Sequence, residues 1–220
     1  MNSVLQEIQG KLSASDRQRI ITALKKPLQQ FYRQQIDNAL QKDQFTSAEK
    51  INAEALALFP KENAYRTGRQ RIAREKTARL ANLAADYTRV LNTEPLSGQG
   101  IFSHLEKIRS IDAQYLAKHP QLFSSLKTRL VTLAKDPQSL PQLQDVMQYW
   151  EKFFNGGDSS PEARETFRET KNLISLRCLY NGRKLKQQGN RQLGDELLMF
   201  GLSLDPISTV RNALEKELQK

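Results

Sequence analysis

Residues 175–208 read SLRCLYNGRKLKQQGNRQLGDELLMFGLSLDPIS. Gly182, Gly194 and Gly201 fall in strongly helical stretches on either side of a turn at Gly189-Asn190, and Pro206 closes the segment. Glycine inside a helix costs about 1 kcal/mol relative to alanine, because it has the most backbone freedom to lose. Three such costs in one helix pair need an offset, and close approach of two helix backbones supplies one. The stretch therefore predicts a helical hairpin whose two rods nearly touch.

Outward from this hairpin, helical spacing recurs almost everywhere. From Asp16 the apolar positions Ile20, Ile21, Leu24, Leu28, Phe31, Tyr32, Ile36, Ala39 and Leu40 line one face, and Pro27 marks a kink or a boundary between two helices. Thr46 followed by Glu49 has the form of a capping box, which predicts a helix starting near Ser47 and stopping at Phe59-Pro60. A long helix carries Ile72, Leu80, Leu83, Tyr87, Val90 and Leu91 and breaks between Glu94 and Gly100. The next carries Ile101, Leu105, Ile108, Ile111 and Tyr115 as far as His119-Pro120. Leu122, Phe123, Leu126, Leu130 and Leu133 mark another, closed by Asp136-Pro137. Leu143, Val146, Met147, Trp150, Phe153 and Phe154 form the most aromatic stripe, read as core and ended by Asn155-Gly156-Gly157. Ser160 offers an N-cap with Pro161 at the first helical position and Glu162 in the first turn. A final helix follows Asp205-Pro206. Alternating β-branched runs are missing, so the fold class is all-α, with roughly eight to ten helices on short connections that favour antiparallel neighbours.

The pattern N-G-x-x-L-x-x-x-G-x-x-x-x-G-x-x-x-L-x-x-G-x-x-x-x-P, spanning Asn181 to Pro206, resembles the tetratricopeptide repeat, a helix–turn–helix unit of about 34 residues. Cys178 stands where that family places an aromatic residue or leucine. A weaker copy covers 29–62: Ala48, Ala55 and Pro60 repeat the spacing of Gly194, Gly201 and Pro206, and Tyr32 takes the early aromatic position. Ile36 there replaces the small residue of the first helix, and Asn52 replaces Leu198. Between them, Pro95, Pro120 and Pro137 lie 25 and 17 residues apart, so no single period runs through. The expected organisation is one helical domain over 1–220. It comprises a weak unit at 29–62, divergent helices over 64–172, the better unit at 175–208 and a C-terminal capping helix at 209–220. Its helix pairs stack either as a tetratricopeptide-like α-solenoid or as an irregular bundle, in which the glycines are simply tight contacts.

The resemblance implies a groove lined by the first helix of each unit, holding peptide segments. Carried over by position, it points to Tyr180, Arg183 and Gln187 in the better unit, and to Arg33, Gln34 and Asp37 in the weaker one. Plain surface exposure is the other reading of each.

The net charge of +10, from 34 basic and 24 acidic residues, attracts acidic protein, nucleic acid or anionic lipid. About half the excess sits at 61–79, where Lys61, Arg66, Arg69, Arg71, Arg74, Lys76 and Arg79 face only Glu62 and Glu75. At 100° per residue these charges spread round a helix, whereas a nucleic-acid reader would gather them on one side. With Ile72 as the only large apolar residue, this half-helix is expected to project as a loosely packed, solvated rod, with binding to phosphate or an acidic partner as the alternative.

Catalytic signatures are poor. His104 and His119 form no H-E-x-x-H metal motif, and His119 before Pro120 reads as a helix-end cap. Cys178 reads as a small core residue. Gly98-Gln99-Gly100 and Gly156-Gly157 lack the Lys-Ser/Thr of a phosphate loop, and the pairs Glu162/Glu165 and Glu215/Glu217 read as solvated surface. Neither cofactor, metal nor catalysis is expected. No apolar run reaches the ~20 residues that span a bilayer, and MNSVLQEIQGKLS reads as a short helix, not a secretory signal. One cysteine excludes an internal disulfide, which fits the cytoplasm without requiring it. The expected role is a non-catalytic scaffold or adaptor for protein or peptide partners, acidic ones favoured, as one region of a longer signalling or assembly protein. Nucleic-acid binding is the alternative, and oligomeric state is open.

Overall fold

The computed structural model describes residues 13, 15, 19, 22–93, 95–155 and 160–220. The expected amino-terminal helix, Asp16, Ile20, Ile21, Glu94 and the Gly156-Gly157 pair lie outside the described residues. Among the described residues there is no strand. The elements are α1 (Lys25–Gln41), α2 (Phe45–Leu58), α3 (Asn63–Arg66), α4 (Gly68–Leu91), α5 (Gly98–Ile111), α6 (Tyr115–Lys118), α7 (Gln121–Leu133), α8 (Leu140–Asn155), α9 (Pro161–Gln187), α10 (Arg191–Ser203) and α11 (Ser208–Leu218). A 3-10 turn, Pro137–Ser139, precedes α8. The protein is all-α, built of packed helix pairs.

The chain divides into two compact units, Met1–Arg79 and Leu80–Lys220. The boundary falls inside α4, whose apolar residues serve different cores. Ile72 is buried with the first unit, and Leu80, Leu83, Tyr87 and Leu91 belong to the main core of the second.

In the first unit α1 starts at Lys25, so Pro27 sits in the first turn, where a missing N–H costs nothing. It marks a helix start, not a kink. Leu28, Tyr32, Ile36, Ala39 and Leu40 of α1 are buried, as are Phe45, Ala48, Asn52 and Ala55 of α2. The capping box does not form: α2 begins at Phe45, two residues before the expected start, with no side-chain cap. The turn decides this instead. Asp43 adopts a left-handed conformation, its N–H donates to Leu40 O, and the Gln44 N–H reaches back to Ala39 O. The next helix has to start at once.

The hairpin α9–α10 turns in the same way. Gly189 is left-handed, its N–H donates to Lys186 O, and the Asn190 N–H reaches Leu185 O. Gln41 and Gln187, Asp43 and Gly189, and Phe45 and Arg191 are each 146 residues apart. The correspondence extends to a later helix. Asp37 pairs with Arg71 at 2.8 Å, and 146 residues on Arg183 pairs with Glu217 at 3.0 Å, with the charges exchanged. Each hairpin is thus tied at the same register to a later helix, α4 in the first case and α11 in the second. Asp37 of α1 pairs with Arg71, and Asp43, just past the end of α1, pairs with Arg79, so α4 runs in the direction of α1.

The second unit is centred on Phe102, Phe123, Trp150, Phe153 and Phe154, whose rings meet at centroid distances of 5.5–6.3 Å. The aromatic stripe is therefore core. The single helix expected from Ile101 to Tyr115 is broken: α5 ends at Ile111, and Asp112, extended, accepts the Gln114 N–H at 3.0 Å, a local turn that competes with the helix. Ser160 caps α9 as expected, accepting the Ala163 N–H.

The helix glycines sit where α9 and α10 touch. A Cβ on Gly182 would lie 2.7 Å from Leu198 Cγ and 2.9 Å from the Gly194 carbonyl oxygen, and one on Gly194 would lie 2.9 Å from the Gly182 carbonyl oxygen. A Cβ on Gly201 would be 2.9 Å from that of Cys178. Pro206 is buried just beyond α10. Because backbone atoms oppose backbone atoms, no rotamer change relieves the overlap. Gly194→Ala is expected to lower stability by about 1–2 kcal/mol in urea unfolding, overpacking outweighing the gain in helix propensity. Gly100→Ala, whose Cβ would meet nothing nearer than 3.7 Å, should be neutral or stabilising.

Candidate binding surfaces

Contacts assign the faces of α9. Ser175, Cys178 and Gly182 face α10, with Ser175 Oγ donating to Gly201 O at 2.8 Å. On one flank Asn181 Nδ2 donates to Ala134 O at 2.9 Å, while Glu169, one turn before Leu173, pairs with Lys127 of α7. On the other, Asn172 Oδ1 accepts the Ile207 N–H at the start of α11, and Arg183 pairs with Glu217 of α11. The fourth face, opposite α10, carries Leu173, Leu176 and Tyr180, which are 40%, 46% and 64% exposed. At 100° per residue Lys184 and Gln187 fall on the same arc, and Arg177 at its edge.

Of the three groove residues expected here, Tyr180 stands on this face, Gln187 is exposed at its end, and Arg183 is half-exposed in its ion pair. Leu173 and Leu176 were missed. The signal was present: Leu173, Ile174, Leu176, Cys178, Leu179 and Tyr180 surround the helix, more than one covering face accounts for.

Residues 171–187 contain Lys171, Arg177, Arg183, Lys184 and Lys186 and no acidic residue. Lys171 lies over the Phe167 ring, Lys186 Nζ donates to Asp195 and to Glu217 O, and Arg183 holds Glu217. Arg177 and Lys184 make no ion pair with the described residues.

Glu217, read from sequence as solvated surface, is buried. It is the charge that Arg183 and Lys220 meet, at 3.0 and 2.9 Å. The hydrogen bond from Lys220, then that from Arg183, hold its carboxyl below the usual carboxylate range against the opposing effect of burial. A depressed native value means the stabilisation is complete above the ordinary carboxylate pKa and is lost as pH falls through the native one. Glu217→Gln should therefore cost about 1–2 kcal/mol at pH 7, and the gap from wild type in urea midpoint should close as the pH falls through the lowered native value.

In the first unit α1, α2, α3 and α4 enclose a cavity of about 300 Å³, lined by Arg33, Ile36, Asp37, Asn52, Tyr65, Gly68 and Arg71, among others. Asn52 is 4% exposed; its Nδ2 donates to Tyr65 O at 3.1 Å and its Oδ1 has no partner. Arg33 pairs with Glu62, while Arg71 bridges Asp37 and Glu75. Of the expected groove residues, Arg33 and Asp37 share this cavity, and Gln34 lies exposed outside its lining.

The basic stretch does not project as a loosely packed rod. Ile72 and Tyr65 are buried, Gly68 packs against Asn52, Arg71 pairs with Asp37 and Arg79 pairs with Asp43. Arg66, Arg69 and Arg74 are exposed without an ion pair to the described residues, and Lys76 is half-buried.

His104 Nδ1 lies 2.8 Å from Gly100 O, and His119 ends α6 with its ring 4.0 Å from Tyr115. Among the described residues no three His, Cys, Asp or Glu side chains gather as a metal site, and no helix is long and apolar enough to cross a membrane. Burial pushes the Cys178 thiol up to about 12. Only the thiolate is nucleophilic, so Cys178 should resist thiol reagents in the native protein and react at the rate of unfolding. Comparison of the chain with protein-family models, curated proteins and solved structures yields no match.

Proposed function

We propose that this protein is a non-catalytic protein-interaction module, a scaffold or adaptor whose two like hairpins are tetratricopeptide-like units. The observation that carries this is the row Leu173, Leu176 and Tyr180 on the open face of α9. Single exposed apolar side chains are ordinary, but three in a continuous row on a helix held rigidly along its other faces mark a contact surface. The repeated hairpin register supports the repeat reading, and the buried, protonated Cys178 fits a structural use of the residues that elsewhere do chemistry.

A photo-crosslinking residue at position 180 tests this in native extract. A discrete protein adduct is expected, and Leu176→Ser should remove it while leaving the melting curve unchanged, since surface substitutions cost within about 0.5 kcal/mol. Diffuse labelling insensitive to Leu176→Ser would sink the reading.

A second reading, nucleic-acid binding, rests on Arg66, Arg69 and Arg74. The exposed charges are few once Asp37, Glu75 and Asp43 have taken Arg71 and Arg79. Steep weakening of oligonucleotide binding with salt would favour it.

A further inference from the structure

We infer that the occupant of the α9 face is an amphipathic helix with acidic residues on both sides of its apolar seam; this rests on the interaction-module reading above. Three features of the face point to it.

The first is spacing. Leu173, Leu176 and Tyr180 step by three and four residues, giving rises of about 4.5 and 6 Å along α9. A partner helix with apolar residues at i, i+3 and i+7 repeats those rises and interdigitates with them. An extended segment sets its same-face side chains about 6.6 Å apart and falls out of step.

The second is the absence of backbone partners. An extended peptide laid on this face needs donors and acceptors for its main chain, or it buries them unpaired. The carboxamides on its two flanks are already used, Asn172 by the Ile207 N–H and Asn181 by Ala134 O. The face itself offers leucine, tyrosine and basic side chains, with Gln187 only at its end. A helix satisfies its own main chain and needs none of these. In this respect the face departs from the extended-peptide groove that the family resemblance implies.

The third is charge. Arg177 and Lys184 lie along the edge towards α7 and make no ion pair with the described residues, and Arg183, half-exposed, lies on the edge towards α11. No carboxylate is present anywhere in residues 171–187. An acidic flank on each side of the seam meets a guanidinium or ammonium on each side, whereas a basic flank meets like charge.

The test uses the full chain and three fluorescein-labelled peptides of about 18 residues. One has a leucine seam with glutamate flanks, one the same seam with lysine flanks, and one the glutamate sequence with a central proline that breaks the helix. Anisotropy titration should give the glutamate peptide a Kd on the order of 10 µM, and the other two at least about tenfold weaker binding. Leu176→Ser, and separately Arg177→Glu with Lys184→Glu, should each weaken the glutamate peptide about tenfold, with unchanged circular dichroism confirming the fold. Equal binding of the lysine peptide, equal binding of the proline peptide, or indifference to both variants overturns the inference. So does a single-stranded oligonucleotide that binds this face and is lost in the charge-reversed variant but not in Leu176→Ser. If no peptide binds while the position-180 adduct still forms, the occupant is wrong and the module stands. If both fail, the face binds nothing.

Discussion

The α9–α10 hairpin depends on a close approach of two main chains. Where Gly182 and Gly194 meet, each carbonyl oxygen occupies the space the other residue's Cβ would need. Holding α9 and α10 this close brings Ser175 Oγ onto Gly201 O and seats Cys178 against Gly201, away from water. It also settles what the remainder of α9 can do. With one face closed by α10 and the flanks tied to α7 and α11 by side-chain hydrogen bonds and ion pairs, one face is left open, and the exposed leucines are on it.

Two hairpins 146 residues apart solve the same geometric problem with different residues. Both turns use one left-handed residue, glycine in one case and aspartate in the other, and the same two main-chain hydrogen bonds. Both bind a later helix, α4 or α11, through an ion pair at the same register, with acid and base exchanged. What is kept is the hydrogen-bond geometry and the sum of charges, not the identity of any residue. The difference lies inside: Gly182 and Leu198 fill the second hairpin, while Ile36 and Asn52 stand in the first, where they line a cavity and where Gly68 makes room for the carboxamide.

Charge is distributed according to the same division. In the first unit Arg71 and Arg79 of α4 are held by Asp37 of α1 and by Asp43 of the turn after it, so two cations of a stretch that looks like a cationic patch are internal ties. In α9 the acidic residues end at Glu169, and the bases beyond it outnumber their partners. Net charge is a property of composition, but which cations remain available to a partner depends on which carboxylates the fold brings alongside.

Local rules account for what the sequence alone determined. The all-α class, most helix ends, the Ser160 cap, the aromatic core and the close α9–α10 contact follow from spacing, proline, and glycine placed where a helix resists it. These are interactions within a few residues or the direct cost of a missing side chain. Tertiary structure decided the rest. The turn at Asp43, closed by two main-chain hydrogen bonds to α1, starts α2 at Phe45, ahead of the capping-box sequence at Thr46 and Glu49. Glu217 became a buried anion through Arg183, which lies 34 residues away, and the pairing of Arg71 with Asp37 spans the same distance. Leu173 and Leu176 stayed exposed because α7, α10 and α11 cover the other sides of α9. Periodicity says that a helix has apolar faces; only the neighbours say which of them is left uncovered.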